Sequence, residues 1–269
     1  MTGGKQTIGV RLRVFIPFAC GYFLSYLYRV VNSVIAPNLV DDIGVDPSEL
    51  GLLTSAYFIT FAAAQLPLGV LLDRFGPRKI EAFLLLFAVI GAWVFAEAET
   101  LTGLVAGRAL IGFGVSACLM AAFKAYVIWY PRGQLPLING YQMAAGGLGA
   151  LAATAPVEAA LAITDWRGVF MALAVLTLVI AALVFFVVPE RAVAGRELRF
   201  GEQVRGIKSV FSSLVFWRIA PWATLSQATF LSIQGLWAGP WLRDVAGYDR
   251  DQVAGTLSLV AVAMVSGFI

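Results

Sequence analysis

Long apolar runs follow one another along almost the whole chain and are separated by short polar connections. Eight such segments can be delimited, at residues 11–37, 48–72, 79–97, 101–130, 136–163, 167–188, 212–242 and 252–269. A helix needs about 20 apolar residues to cross the hydrocarbon core of a bilayer. A membrane barrel would instead show strands of about ten residues with alternating polarity. The pattern therefore predicts an all-α polytopic membrane protein.

The composition agrees with this pattern. Hydrophobic residues make up 60% of the chain and charged residues 13%, which is about half the charged share of soluble domains. The net charge of +3 does not argue for a nucleic-acid partner, because the bases fall between the apolar segments where membrane topology places them. The chain has no histidine, the commonest general base and metal ligand. We therefore expect no enzyme activity, no metal and no cofactor.

Bases and acids occupy alternate connections. Lys and Arg are concentrated before the first segment, between the second and third, between the fourth and fifth, and after the sixth, whereas the other connections are richer in acids. Since Lys and Arg stay on the cytoplasmic side, we expect a multi-pass protein of the cell membrane with a cytoplasmic N-terminus. The long connection at 189–211, also cytoplasmic, would separate a bundle at 1–188 from the start of another at 212–269. It is either an amphipathic surface helix or a solvated linker.

A dense charged turn connects the second and third segments. Residues 69–79 read Gly-Val-Leu-Leu-Asp-Arg-Phe-Gly-Pro-Arg-Lys, in which glycine and proline favour a turn. This spacing resembles the signature loop between helices 2 and 3 of the major facilitator superfamily of secondary transporters. The resemblance implies that Gly69 lets helices approach and that Asp73 clusters with the bases to lock one gate state. It assigns a gating role to six residues: Gly69, Asp73, Arg74, Gly76, Arg78 and Lys79.

Two further motifs extend the resemblance. Residues 108–114 match the R-x-x-x-G-x-G motif of the family's helix 4, and residues 165–170 are similar to the W-R-x-x-F entry to helix 6. The latter motif also echoes residues 73–76, three helices earlier and on the opposite membrane face, as inverted three-helix repeats would require. The resemblance implies a six-helix bundle followed by a second, incomplete one. Because the family has twelve helices, we expect the chain to be a fragment.

Ionisable side chains inside membrane spans are costly and are functional candidates by default. Arg29 shares a polar face of the first segment with Tyr22, Tyr26 and Asn32, since these residues recur at helical spacing. We expect this face to be a cavity wall on which the guanidinium binds a carboxylate or phosphate. The alternative is an arginine that bonds carbonyls of a neighbouring helix.

Other polar residues extend the candidate pathway. For Arg108 the resemblance implies a role in the cavity or in proton coupling; otherwise it is a hydrogen-bond centre of the bundle. Lys124 either lines the pathway or extends to the interface. Glu158, taken as the only acid buried within a predicted span, is either the proton-coupling residue or an interfacial carboxylate. Gln227 and Gln234, two turns apart in the seventh segment, either face the pathway or bond between helices.

The bases in the predicted spans make the pathway electropositive, which favours an anionic substrate. The primary hypothesis is a secondary active transporter that moves a small organic or inorganic anion with protons, by alternating access of two bundles about a midplane site. The second is a non-transporting scaffold or sensor, or an inactive fragment, on the same fold. An intramembrane enzyme is the weakest hypothesis, because the predicted spans contain no serine–histidine pair, metal-ligand set or paired carboxylates.

Overall fold

A computed structural model of the chain describes residues 8–191, 206, 209–233 and 237–268, which are helical apart from turns and contain no strand. The all-α prediction is confirmed for these residues. The helices, with a short 3₁₀ turn at Arg132–Gln134, are α1 (Ile8–Ile43), α2 (Pro47–Phe75), α3 (Pro77–Ala96), α4 (Leu101–Gly114), α5 (Cys118–Trp129), α6 (Leu135–Ala152), α7 (Ala155–Leu161), α8 (Trp166–Val187), α9 (Leu214–Ser232), α10 (Ala238–Asp244) and α11 (Arg250–Phe268).

Within the described ranges, six helical stretches are long and apolar enough to cross a membrane. Spans 1, 2, 3 and 6 are α1, α2, α3 and α8; span 4 (Leu101–Trp129) contains α4 and α5, and span 5 (Arg132–Leu161) contains α6 and α7. The first six predicted segments are thereby confirmed as helices of a multi-pass membrane protein. Helices α9 and α11, of 19 residues each, are not among the six, so their place as helices 7 and 8 stays a prediction.

The chain divides by its contacts into two units, one formed by Met1–Val193 with Ser258–Ile269 and the other by Ala194–Leu257. Spans 1 to 6 lie in the first unit, which also holds the buried apolar core between Val14 and Val188. Helices α9 and α10 lie in the second unit, where most described side chains are exposed. The core that positions a site is therefore that of the first six spans.

Local signals set the helix ends. Asp46 and Glu49 form a capping box at the start of α2, where each side chain accepts the other's backbone N–H at 2.8 Å. Thr100 and Asp165 cap α4 and α8 with their side-chain oxygens. Gly76 ends α2 and precedes α3 at a φ of 82°, a left-handed value that favours glycine. Gly76 alone separates α2 from α3, so the chain changes direction within one residue.

The contacts among the six spans have an internal symmetry. Span 2 packs on span 4 and span 5 on span 1; span 3 packs on span 4 and span 6 on span 1; spans 3 and 6 pack on each other. Exchanging spans 1–3 with spans 4–6 converts each of these contacts into another of the same set. This is what inverted three-helix repeats require, and it agrees with the sequence echo between residues 73–76 and 165–168.

Span 4 is interrupted near its middle. Helix α4 ends at Gly114, α5 begins at Cys118, and residues 115–117 form turns. The Ser116 carbonyl oxygen accepts a hydrogen bond from Gln65 Nε2 of span 2 at 3.1 Å. Irregular backbone at membrane depth is tolerated where neighbouring side chains satisfy its polar groups, and Gln65 does so here.

Candidate functional site

The polar face of span 1 packs beside aromatic rings of span 2. The guanidinium carbon of Arg29 lies 4.6 Å from the Tyr26 ring centroid, 5.3 Å from that of Phe61 and 5.9 Å from that of Phe58. A guanidinium is attracted to the electron-rich face of such rings. These three rings form what we call the aromatic cage of Arg29. The Tyr22 and Tyr26 rings make an edge-to-face contact with centroids 5.1 Å apart.

The charge of Arg29 is not neutralised by an acid among the described residues. Its Nε is buried without a hydrogen-bond partner. Farther along the same face, Asn32 Nδ2 donates to Thr54 Oγ1 at 3.2 Å, while Asn32 Oδ1 is buried and unpartnered. A guanidinium has five N–H donors and an amide oxygen accepts hydrogen bonds. The face therefore retains both positive charge and hydrogen-bonding capacity for a ligand.

Span 5 closes one side of this face. A Cβ built on Gly146 would lie 2.5 Å from Tyr22 Cε1 and 2.8 Å from Tyr26 Cδ2, so the rings would have to move to admit one. The hydroxyl of Tyr22 lies 3.8 Å from Met143 Sδ of the same span. The absence of a side chain at Gly146 thus lets the two tyrosine rings pack directly on the span 5 backbone.

Arg108 lies behind the cage with no exposed surface. Its Nη1 donates to the Tyr28 carbonyl oxygen at 2.8 Å, and its guanidinium carbon lies 4.9 Å from the Tyr57 ring centroid. These contacts tie span 4 to spans 1 and 2 and hold the residue that precedes Arg29. The geometry corresponds to a hydrogen-bond centre of the bundle, and a place for Arg108 in the pathway stays a prediction.

Lys124 is paired with an acid of the 69–79 turn. Its Nζ donates to Asp73 Oδ1, and the two side chains are partly exposed. The predicted cluster of Asp73 with the bases of its own turn is not formed. Gly76 reverses the chain between Asp73 and the bases Arg78 and Lys79, so the acid faces span 4 while these two bases face another neighbour. The structure therefore brings Lys124 to the predicted gate instead of to the Arg29 face.

The two bases after Gly76 contact the end of span 6 and the residues that follow it. Arg78 Nη1 donates to the Val188 carbonyl oxygen at 3.3 Å and lies 3.9 Å from Glu190 Oε2. Lys79 forms an ion pair with Glu190. The hydrogen bond from Lys79 holds the pKa of Glu190 below its ordinary value. The pair is therefore charged at neutral pH and is lost only when the pH falls through that lowered pKa.

Two other residues of the predicted gating motif have looser surroundings. The Arg74 guanidinium carbon lies 5.2 Å from the ring centroid of Phe75. A Cβ built on Gly69 would meet no atom within 4 Å. Gly69 is exposed in the part of the chain that the structure describes, so the close helix approach expected there stays a prediction.

The opposite end of the bundle carries a matching arginine. Arg167 Nη1 donates to the carbonyl oxygens of Ala96 at 2.8 Å and Ala98 at 2.7 Å, at the end of span 3. Its Nη2 lies 3.3 Å from Asp42 Oδ2, which also accepts a hydrogen bond from Trp166 Nε1 at 3.1 Å. The sequence motif contained these residues, but their partners lie about 70 and 125 positions away along the chain.

Arg78 and Arg167 form a reciprocal pair of contacts. Each is the second residue of its span, and each binds a carbonyl at the end of the other's span. A cation near the C-terminal end of a helix also interacts favourably with the helix dipole. Because spans 3 and 6 run in opposite directions, these contacts fasten the two spans at both ends.

Glu81 of span 3 is a buried acid to which sequence reasoning assigned no role. Its side chain has no exposed surface, and Oε1 and Oε2 lack hydrogen-bond partners. The expectation that Glu158 is the only acid buried in a span is therefore wrong, and Glu158 itself is half-buried on α7. Periodicity could have identified Glu81, because it falls on the stripe of span 3 that faces the core: Pro77, Ile80, Leu84, Leu85, Ala88, Gly91, Ala92 and Phe95.

The family profile of the Major Facilitator Superfamily matches residues 18–269. The chain belongs to this superfamily. Its relatives include the protein named "Probable sulfoacetate transporter SauU" of Cupriavidus necator, 26% identical over 98% of this chain and 64% of that protein. The hexuronate transporter of Escherichia coli is 27% identical over 68% of this chain and 43% of that protein.

Solved structures show the same fold. The crystal structure of a D-xylose-proton symporter superposes with a TM-score of 0.69 at 18% identity, over 95% of this chain and 67% of that structure. The chain thus spans about two thirds of the length of the superfamily members it matches, or less.

The remaining predicted residues lie outside the six spans of this superfamily bundle. Gln227 is an exposed residue of α9, and Gln234 lies outside the described residues. In the part of the chain that the structure describes, no group of three His, Cys, Asp or Glu residues could hold a metal ion. Of the predicted site residues, Tyr22, Tyr26, Arg29 and Asn32 share one face of span 1. Lys124 pairs with Asp73 of the gating turn.

We expect Arg167→Met to lower the free energy of unfolding by about 2 kcal/mol, since a charge-assisted hydrogen bond contributes about 1.5–3 kcal/mol and the site is partly exposed. Arg78→Met should cost less, because Arg78 makes one longer hydrogen bond and a peripheral ion pair. Thermal unfolding of the full-length protein in detergent measures both. A larger loss of stability for Arg78→Met than for Arg167→Met would contradict this ranking of the two contacts.

Proposed function

We propose that this chain is part of a secondary active transporter that moves a small organic or inorganic anion with protons by alternating access. The observation that carries the proposal is the guanidinium of Arg29, which lies in an aromatic cage without a carboxylate partner among the described residues. A positive charge held in this way inside a membrane bundle needs a counter-ion, and an anionic substrate supplies one.

The chemistry of the Arg29 face fits a carboxylate, sulfonate or nitrate group. A guanidinium binds planar or multi-oxygen anions through parallel N–H donors, which a lysine cannot do. The apolar rings around it lower the local dielectric constant and strengthen the attraction. Tyr22 and Asn32 offer further polar groups on the same face. The relatives named for sulfoacetate and hexuronate transport are named for small organic anions, which supports this substrate class.

Arg108 supports the site from behind. It holds the Tyr28 carbonyl, so it fixes the turn of span 1 from which Arg29 projects. We propose that this contact positions Arg29 for ligand binding. A substrate that displaced water from the cage would then meet a preorganised donor group.

The positive-inside rule supports a cytoplasmic N-terminus and a cytoplasmic 73–79 turn in the cell membrane. In this proposal residues 1–188 form the first bundle, 189–211 the central loop and 212–269 the start of the second bundle. The Asp73–Lys124 pair and the bases of the turn would act as the gate at that side. Gln227 and Gln234 would contribute to the pathway from the second bundle.

The test is anion uptake by the full-length protein with sulfoacetate, a hexuronate and nitrate as probes. We expect Arg29→Gln to abolish uptake while membrane expression stays intact, and Arg29→Lys to retain only weak uptake because the parallel donors are lost. Arg11→Gln is the matched control, since Arg11 lies near the start of the same span and bonds Gln134. Unchanged uptake in Arg29→Gln would contradict the proposal, and binding without uptake would favour a sensor.

A further inference from the structure

Glu81 is a buried ionisable group that the proposed anion site does not use. A Cβ built on Gly21 of span 1 would overlap Glu81 Oε1, and it would lie 3.4 Å from Glu81 Cδ and 3.8 Å from Cys118 Sγ. The carboxyl group of Glu81 therefore occupies the space that a side chain at position 21 would need. It is enclosed by span 1 at Gly21 and by span 4 at Cys118, the first residue after the interruption.

No cation compensates this carboxyl group. Neither oxygen has a hydrogen-bond partner, and no Lys or Arg nitrogen of the described residues lies within ion-pair distance. The titratable groups that face it are the Cys118 thiol and the Tyr126 hydroxyl, both on α5. The Tyr126 hydroxyl donates a hydrogen bond to Gln142 Oε1 at 2.6 Å.

Span 4 packs on span 3 and carries two bases, both of which bond other groups. Arg108 of span 4 bonds the Tyr28 carbonyl, and Lys124 of α5 bonds Asp73 of span 2. A carboxylate without a partner is strongly disfavoured in an apolar interior, whereas a neutral carboxylic acid is tolerated far better. The surroundings of Glu81 therefore match the protonated form and offer nothing to the ionised form.

The interruption of span 4 offers a way to change these surroundings. Residues 115–117 separate α4 from α5 immediately before Cys118, so a bend there would move the wall that faces Glu81. Opening of that wall to water would give an ionised Glu81 the solvation that it lacks in the arrangement seen here.

We propose that Glu81 is a proton-binding site of the transport cycle, which holds its proton in the arrangement seen here and releases it when span 4 bends at residues 115–117. The proton passes between water and the Glu81 carboxylate, and no other bond changes. This inference rests on the proposed transport function and deepens it, because it assigns the coupled proton to Glu81 in place of Glu158.

The experiment compares two modes of transport by the full-length protein in proteoliposomes, with Glu81→Gln and Glu158→Gln. Glutamine keeps the shape of the protonated acid but cannot release a proton. We expect Glu81→Gln to retain exchange of labelled anion without a gradient and to lose accumulation driven by a pH gradient. Glu158→Gln should retain both. Gradient-driven accumulation that survives in Glu81→Gln, or that is lost only in Glu158→Gln, would overturn the inference.

A second measurement is independent of transport. Infrared spectra of the detergent-solubilised protein should show the carbonyl stretch of a protonated carboxyl group that is missing from Glu81→Gln. Glu81→Asp should shift this band without removing it, and it serves as a second variant if glutamine impairs folding. Identical bands in the wild type and both variants would overturn the inference. A protein that shows the band but exchanges no anion would contradict only the proposed function.

Discussion

Replacing Arg108 by alanine should lower the free energy of unfolding of the bundle by about 2–5 kcal/mol, the cost typical of removing a large buried side chain. Arg108 is among the largest side chains without exposed surface. Its loss would leave a cavity between spans 1, 2 and 4 and would remove the donor that satisfies the Tyr28 carbonyl oxygen. A buried acceptor left without a donor itself costs about 1–3 kcal/mol.

Arg108→Met is the matched control. Methionine fills much of the same volume and removes both the charge and the unpartnered Nε, so it should cost less than alanine, because apolar replacements of buried polar groups are often tolerated. Thermal unfolding of the full-length protein in detergent can be followed with a thiol-reactive dye in a Cys20→Ser background, since Cys20 is partly exposed and Cys118 is buried. An Arg108→Ala variant that unfolds at the same temperature as the wild type would contradict a packing role for Arg108.

The same pair of variants separates packing from transport at this position. If Arg108→Met is folded and still takes up anion, Arg108 serves packing alone, and neither a pathway role nor the positioning of Arg29 is needed. If it is folded but inactive, Arg108 acts in transport, through the Tyr28 carbonyl that positions Arg29 or from the pathway itself. Arg29→Gln provides the comparison, because Arg29 lies on the polar face and its removal is not expected to leave a buried cavity.

Much of the fold could be predicted because membrane insertion depends on local properties. Six apolar runs are enough to specify six spans, since each span must satisfy its own backbone hydrogen bonds. The polar face around Arg29 was predictable for a similar reason, because helical spacing alone places Tyr22, Tyr26 and Asn32 on one side. The 69–79 turn was recognisable by its residues, and Gly76 takes the left-handed conformation that such a turn requires.

The partners of charged residues could not be predicted, because they depend on which spans meet. Lys124 and Asp73 are 51 residues apart, and Arg167 and Asp42 are 125 apart. Glu81 follows Lys79 near the start of its segment, where an acid is ordinarily interfacial. Helical periodicity places Glu81 on the core-facing stripe of span 3, but its enclosure by span 1 at Gly21 depends on which spans meet and could not be predicted.

Replacing Gly112 by leucine should lower the free energy of unfolding by about 3 kcal/mol, at the upper end of the cost of overpacking a core. A Cβ at this position would overlap the Tyr57 carbonyl oxygen and would lie 2.8 Å from Thr60 Oγ1. The obstacle includes backbone of span 2, so a rotamer change cannot relieve it. Spans 2 and 4 would have to separate, which would also stretch the 2.8 Å hydrogen bond from Thr60 Oγ1 to the Ala109 carbonyl.

Gly149 repeats this arrangement in the second half of the bundle. A Cβ there would overlap the Phe23 carbonyl oxygen and lie 2.8 Å from its carbon, so Gly149→Leu should be destabilising in the same way. Gly51→Ala is the control within span 2, because a Cβ at Gly51 meets no atom within 4 Å. Alanine should there stabilise the helix by about 0.5–1 kcal/mol. Thermal unfolding of all three variants decides the point. Destabilisation at Gly112 and Gly149 with stabilisation at Gly51 would show that spans 4 and 5 need these glycines for close contact and not for flexibility, whereas destabilisation by all three would contradict this.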